Sequence, residues 1–484
     1  LNVEETKLAR VLLFNPPHPE GKGFTREGRC TQEAGVWATQ WPPVTLATAA
    51  AFLERDRHDL KVVDCPAVKW DQKRLTAEIL AFQPGFAFWN TATPTLDHDL
   101  RLGAIIKGAA PDAVTGVMGT HVSALPEKAL RHSSVDVVIQ REPEGTIREI
   151  CGENPPDWKD IPGIAYRDDL SHSFCENPAR EFLQPEDIPA PAWHYMDTDV
   201  YRLPLKGARF LIVAPIRGCP FPCSFCTGPL YYGSKLRKRP VENVIVEIRD
   251  NIRRYKVKDF FIWADTFTAD GAYVRKFSRQ IIQNRLPIRW TCNSRVDTVD
   301  REMLTIMKKA GLWMISFGLE SGNDMVLKET GKGISVKQSR RAIRLAHSLG
   351  IKTSGHFILG LPGETQKSME ETLALALELP LDIAQFYAAA PFPGTRLFEQ
   401  ASESGWLREA SPFSQNQAAL NLPGLTAEKV DHFRSFAFRK FYGRPKTFWN
   451  VVSMARPAAL RTVLKNLKQF SLWTESKKGV GSKK

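Results

Sequence analysis

Cys219, Cys223 and Cys226 fall within eight positions of the stretch RGCPFPCSFC, with Phe225 immediately before the last of them. Thiolates are soft ligands, and three on one short loop suit a metal centre. A closed zinc cage asks for a fourth Cys or His nearby, and neither occurs between Cys226 and Cys292. An iron–sulfur cube has four irons to ligate, so three cysteines leave one iron open to an exogenous molecule.

The elements that must position this loop are legible as apolar runs. FLIVAPIRG (210–218) leads straight into it. DFFIWADTFTAD, RWTCNSRVD, WMISFGLESG, TSGHFILGLPGET and IAQFYAAAPFPGT follow, each ending in polar or Gly-rich residues, with amphipathic stretches 241–255, 301–310 and 335–349 between them. Upstream, VLLFN (11–15), LKVVDC (60–65), FAFWN (86–90), VTGVMG (114–119) and DVVIQ (136–140) alternate with helical patterns such as 46–53 and 100–106. Alternation of this kind predicts an α/β chain with parallel sheets, whose ligands sit at the carboxyl ends of the strands. No G-x-G-x-x-G or Walker pattern follows the first strand, which excludes nucleotide binding by those routes.

The Cys-x3-Cys-x2-Cys spacing, its aromatic and the succession of strands resemble the radical S-adenosylmethionine (SAM) superfamily. The resemblance implies a partial (β/α)6 barrel, a [4Fe-4S] cluster on Cys219, Cys223 and Cys226, and SAM on the open iron. Carried over position by position, it places Phe225 near the adenine and Asp265 near the SAM amino group or the substrate. It puts Arg295 at the SAM carboxylate and Glu320, in Gly318-Leu319-Glu320-Ser321, at the ribose or amino group. Gly360, in Gly360-Leu361-Pro362-Gly363-Glu364, would let backbone approach the adenosine. For Asp265, Arg295 and Glu320 the competing reading is a structural salt bridge at the barrel rim. Tyr231, His356 and Tyr387 are expected near the substrate, and no residue is singled out as catalytic.

A Rossmann-like domain ahead of such a barrel resembles the cobalamin-binding subgroup of these enzymes, over about residues 8–400. On that resemblance the corrin is lined by Asn15, Trp41, Pro42, Thr91, Gly119, Thr120, His121 and Val122. The D-x-H-x-x-G signature of histidine-ligated cobalamin is absent, so base-off cobalamin without protein histidine ligation is expected. The expected organisation is a cobalamin domain over 1–150, a proline-rich linker with one short hairpin over 151–205, the barrel over 206–400, and a helical C-terminal region over 401–484. The implied chemistry is reductive cleavage of SAM by an external one-electron reductant, then functionalisation of an unactivated carbon. C-methylation is the first reading, and radical cyclisation or oxidative ring remodelling the second.

Charge is concentrated at one end. From Arg434 to Lys484 thirteen Lys and Arg face a single acid, Glu475, so this segment carries nearly all of the net +13. The rest of the chain is close to neutral, unlike the basic groove of a nucleic-acid binder. In the tail Leu460, Leu464 and Leu467 keep helical spacing beside Arg461, Lys465 and Lys468, after Pro457. That composition suits an interfacial helix on an anionic membrane, with a lipid-like or tetrapyrrole-like small-molecule substrate; a helix packed on the barrel with a solvated basic face is the competing reading. Eight cysteines in 484 residues make no disulfide scaffold, and with neither a signal peptide nor an apolar run of ~18 residues the expected place is the cytoplasm, peripheral on the inner membrane face. Two rival functions are weighed. A tRNA methylthiotransferase needs a second cysteine triplet, for which Cys30 and Cys65 are tolerably spaced but Cys151 is too distant. A non-enzymatic cobalamin carrier would not need the SAM-site features.

Overall fold

Arg10–Asn15 (β1) is an unbroken apolar run with five of its six residues buried, as a strand covered on both faces requires. The computed structural model describes residues 8–28, 30–33, 40–152, 156–168, 173–203, 206–408, 413–445, 447, 450 and 454. After β1 come Phe24–Glu27 (β2), Cys30–Glu33 (β3), Asp59–Asp64 (β4), Phe86–Asn90 (β5), Val114–Met118 (β6), Val137–Ile139 (β7), Ile164–Arg167 (β8) and Phe174–Glu176 (β9). They form one sheet in the order β4-β1-β5-β6-β7-β8-β9, with β2–β3 as a separate hairpin. Strands β4 to β7 are parallel, and β8 and β9 add on antiparallel.

Two features depart from the sequence expectation. The short hairpin foreseen in 151–205 is β8–β9, and it extends the first sheet, so the start of that stretch is sheet edge rather than free linker. The β2–β3 hairpin was not foreseen, because its polar residues lack the apolar alternation that marks a strand. It is held over the first sheet by Arg26, whose guanidinium forks onto Asp99 at 2.9 and 3.0 Å with neither side chain exposed.

The second sheet begins with Phe210–Val213 (β10). A two-residue ribbon, Ile216–Arg217 (β11) with Arg237–Lys238 (β12), brackets the cysteine loop. Asp259–Ile262 (β13), Arg289–Ser294 (β14), Leu312–Glu320 (β15), Lys352–Leu359 (β16) and Ile383–Ala388 (β17) follow. The order β10-β13-β14-β15-β16-β17 is sequential and parallel throughout. Among the described residues β10 and β17 do not pair, which leaves a six-stranded partial barrel. Helices Val241–Tyr255, Arg301–Lys309 and Val336–Ser348 lie where the periodicity predicts them. The last is closed by a capping box, Ser335 with Gln338.

The helix Ala427–Tyr442 covers β17. Phe438 and Phe441 pack edge-on against Phe386, and the Tyr442 hydroxyl donates to the Ala384 carbonyl at 2.8 Å. The first part of the basic segment 434–484 is therefore barrel core, not membrane surface, because its aromatics are buried there. Pro457, Leu460, Arg461, Leu464, Lys465, Leu467 and Lys468 lie outside the described residues. No described helix is long and apolar enough to cross a membrane.

The two units meet along the helix Val44–Arg55, whose Val44 and Ala47 join the barrel core. Beside it lies a buried ionic cluster. Arg217 reaches Glu144 at 2.6 Å and Glu142 at 3.3 Å, while Arg237 grips Glu142 with an Nη1–Oε2 distance of 3.0 Å. Glu27 lies near Arg217 and accepts from the Thr45 amide and hydroxyl.

Removing this cation strands the fully buried Glu144 carboxylate, while Glu142 keeps Arg237, so Arg217→Met is expected to cost about 3–5 kcal/mol in urea denaturation. A loss under about 1 kcal/mol would show that the cluster does not bind the units together. Burial pushes the Glu27 carboxyl up to about 8, so the folded chain holds a proton that the unfolded chain releases near 4.5. This contribution to stability is complete below about pH 4.5 and fades as pH rises through about 8. Glu27→Gln should flatten the stability profile in that window, as read by melting temperature against pH.

Candidate active site

The cysteine loop is shaped before any ligand binds it. Gly218 sits at φ +87°, and a Cβ there would collide with the Lys235 carbonyl, so glycine alone lets the chain enter the loop. The loop is then tied to the barrel: the Ser224 amide donates to Thr330 O at 2.9 Å, and Leu397 N donates to Ser224 O at 2.9 Å. Cys219, Cys223 and Cys226 come to line one wall of a cavity of about 220 Å³ at the carboxyl ends of the barrel strands. Gly228 N lies 3.3 Å from Cys226 Sγ and Thr266 Oγ1 lies 3.5 Å from Cys219 Sγ.

Two ion pairs face these thiols. Arg295, at the end of β14, lies over the Phe221 ring at 3.7 Å and directs Nη1 to within 3.9 Å of Cys223 Sγ. Its Nε and Nη2 are taken by Asp297, both at 2.9 Å, and Nη2 also donates to Lys332 O at 2.7 Å. The fork expected to meet the SAM carboxylate is thus engaged within the protein, and Nη1 is the edge turned toward the cluster loop. Glu320 holds Lys332 Nζ at 2.7 Å, both buried on the cavity wall. Burial pushes the Cys223 thiol up, while Lys332 and Arg295 pull it back toward thiolate and Glu320 opposes them.

The Glu320 pair depends on a local defect in β15. The pairing with β16 shifts register between Gly318 and Glu320, and Glu320 adopts φ +59°, a strained conformation for a residue with a Cβ. A Cβ on Gly318 would collide with Glu320 Oε1 and come within 2.8 Å of Lys332 Nζ. Sequence reasoning missed Lys332. Its signal was the flanking pair Gly331 and Gly333, both at positive φ (+63° and +67°), in a turn that brings a lone Lys back to the end of a strand.

Below this end the lumen stays open because alternate strand residues face inward and are small or polar. Thr291 and Asn293 on β14, Ser316 on β15, Ser354 and His356 on β16, and Gln385 and Tyr387 on β17 line it. His356 and Tyr387 stack at 5.9 Å with Nδ1 3.2 Å from the hydroxyl, which in turn donates to Gln385 Oε1. Both reach the cavity, as do Phe225, Asp265 and Gly318.

Three expected barrel residues do not. Ser321 is fully buried with its hydroxyl 3.2 Å from Thr372 Oγ1, on the outward side that Phe317 and Leu319 also face. Gly360, at φ +82°, packs against Val430 and donates its amide to Glu364, so it makes a turn rather than a cavity wall. Tyr231 is core, edge-on to Tyr232. The strand-end residues of the first sheet are likewise buried in their own unit. Asn15 bridges Asn90 (2.9 Å) and Asp64 (3.2 Å), the Thr91 hydroxyl donates to Met118 O, and Val122 is core. Pro42 and Thr120 are buried too, and Gly119 at φ +137° fits tightly against the Thr91 carbonyl. Only Trp41 of the expected corrin residues lines the cavity, together with Gln32 of the unforeseen hairpin.

The donor set decides which groups these residues fit. Among the described residues no three His, Cys, Asp or Glu side chains form a single-ion cage. Three thiols spread along a cavity wall, with an amide N–H on one sulfur and two cations beside them, suit a polynuclear cluster. On the other unit His121 Nδ1 meets Thr93 Oγ1 at 3.2 Å while Nε2 is buried without a hydrogen-bond partner. Burial holds this imidazole down to about 4, so it is neutral and keeps one polar atom for a ligand at the end of β6. That suits a large polar-edged group such as a corrin.

Comparison with known proteins agrees with this geometry. The radical SAM superfamily model matches residues 213–376, and the B12 binding domain model matches 34–151. The chain is 31% identical to an uncharacterized methyltransferase of Pyrococcus horikoshii, over 91% of this chain and 94% of that protein. It is 28% identical to the cytidylyl-2-hydroxyethylphosphonate methyltransferase of Streptomyces wedmorensis, over 92% and 93% respectively. It is also 28% identical to the anaerobic magnesium-protoporphyrin IX monomethyl ester cyclase of Rubrivivax gelatinosus, over 81% and 70%. In fold it is similar to the radical SAM methyltransferase TsrM from Kitasatospora setae, solved with cobalamin and a [4Fe-4S] cluster, with a TM-score of 0.69 and 16% identity over 93% of this chain and 90% of that one.

Gly318→Ala should force the Glu320–Lys332 pair apart at a cost of about 1–3 kcal/mol, since the added methyl has no room. Chemical denaturation reads this directly; an unchanged stability would mean that the bulge can absorb a Cβ.

Proposed function

Because this chain belongs to the cobalamin-dependent radical SAM methyltransferase family, we propose that it methylates an unactivated carbon of a small, apolar, lipid-like molecule. The observation that carries the reading is the meeting of three cysteine thiols with the buried Lys332–Glu320 pair and the Arg295 guanidinium on one cavity wall. Cys219, Cys223 and Cys226 would hold the [4Fe-4S] cluster; Trp41, Gln32 and His121 would face cobalamin. When bound, these groups and SAM supply an electron, a hydrogen-abstracting radical and a transferable methyl group.

The chain's own residues bind, orient and exclude water. Lys332 and Arg295 favour the thiolate forms needed for ligation. Asp265, at the end of β13, and Glu320 offer carboxylates for an amino group or a ribose, and Phe225 an aromatic face for adenine. The His356–Tyr387–Gln385 chain sets a polar waist at which a substrate oxygen or nitrogen can be held. SAM cleavage needs an external low-potential one-electron reductant. We place membrane contact in 455–484, where eight of the thirteen tail cations lie, with the protein peripheral on the inner face. Oxidative ring formation is the second reading, supported by the similarity to the cyclase.

The full chain, reconstituted anaerobically with iron and sulfide, should release 5′-deoxyadenosine from SAM with dithionite. Cys223→Ala should lose both the iron absorbance and this release. Anaerobic purification with cobalamin supplied should yield bound corrin by absorbance and mass spectrometry. Wild-type protein loaded with iron but inert toward SAM would refute the reading.

A further inference from the structure

The cavity that carries the cysteines does not end at His356 and Tyr387. A second chamber of about 160 Å³ continues from it toward the amino ends of the strands, and the two share Gln32, Trp41, Asn293, Ser316, His356 and Tyr387 as walls. The character of the walls changes along this axis. The upper end carries thiols and ion pairs; the lower end carries Phe210, Phe261 and Trp313 with Leu203, Met314 and Ile383. Trp41 stands edge-on to Phe261 at 4.8 Å, so the aromatic lining runs from the waist downward.

The opening is built by residue choice. A filled barrel carries bulky branched side chains on its inward positions, but here Thr291, Ser316 and Ser354 stand where such side chains would close it. Aromatic walls facing a space this large forgo contacts that a ligand would restore. At the lower rim Lys206 Nζ lies 3.2 Å from the centre of the Trp313 ring, placing a positive charge beside an apolar surface. Met454 packs there against Met314, Ile383 and Trp313.

We propose that this lower chamber is a binding site for the apolar, flat part of an amphipathic acid, with its anionic group toward Lys206 and the carbon to be modified toward the upper cavity. The proposal rests on the reading of the upper cavity as the cofactor site, and it adds what that reading leaves open, the shape and charge of the molecule accepted.

A dye of matching chemistry tests the chamber without turnover. On the reconstituted full chain, 8-anilinonaphthalene-1-sulfonate is expected to saturate at a single site with enhanced fluorescence. Lys206→Glu should weaken it about tenfold. It should affect neutral N-phenyl-1-naphthylamine by less than about threefold. Ser354→Trp, which fills the chamber, should abolish both dyes; should its melting curve show that it does not fold, Lys206→Glu decides. Dye affinities within about twofold of wild type in the folded variants would overturn the proposal. The outcome is separable from the family reading: failure of wild-type protein to cleave SAM would sink the proposed function and leave the dye result standing.

Discussion

A barrel interior that is lined but not filled is the constraint on which the rest of this structure depends. Strand residues alternate between outer helices and lumen, so every second side chain on β14 to β17 chooses between packing the core and leaving space. Here the choice falls on threonine, asparagine, serine, glycine and glutamine at successive inward positions. The outward positions supply the core: Cys292, Ile315, Phe317, Phe357 and Phe386 are all fully buried. Stability is therefore carried by the outer layer, and the inner layer is released for chemistry.

A polar lumen has its own cost, since each buried charge must find a partner. The upper end meets this by pairing within the site: Lys332 with Glu320, Arg295 with Asp297. The arrangement leaves cations next to Cys223, each paired with its own carboxylate. Glu320 continues the inward row of Ser316 and Gly318, at a register shift between β15 and β16 and with φ +59°.

The sequence reading was strongest where one local rule controls the outcome. The cysteine spacing and the helix 241–255 were legible because ligation and amphipathic periodicity are properties of contiguous residues. Asp265 and Arg295 were reached through the family resemblance, which sets functional groups at strand ends, and His356 because its predicted strand directs it to the cavity. Lys332 was not, since a turn after a short helix, rather than a strand end, brings it to Glu320. Ser321 and Gly360 came from the family resemblance; alternation turns Ser321 outward with Phe317 and Leu319, and a turn at φ +82° takes Gly360 off the cavity wall. The β2–β3 hairpin escaped because its stability rests on Arg26 meeting Asp99, a pairing across 73 residues that no local pattern announces.

The same long-range logic governs how the two units cooperate. Arg217 is the residue immediately before Gly218, where the cysteine loop begins, and its guanidinium pairs with Glu142 and Glu144 of the first unit. From the other side, Thr330 and Leu397 fix Ser224 in the middle of the loop. The loop is thus stretched between anchors on both units. An apolar interface of the same area would be as stable, or more so, but it would tolerate sliding, whereas a buried guanidinium does not. Placing that ion one residue from the cysteine loop ties the position of the cysteines to the seating of the first unit.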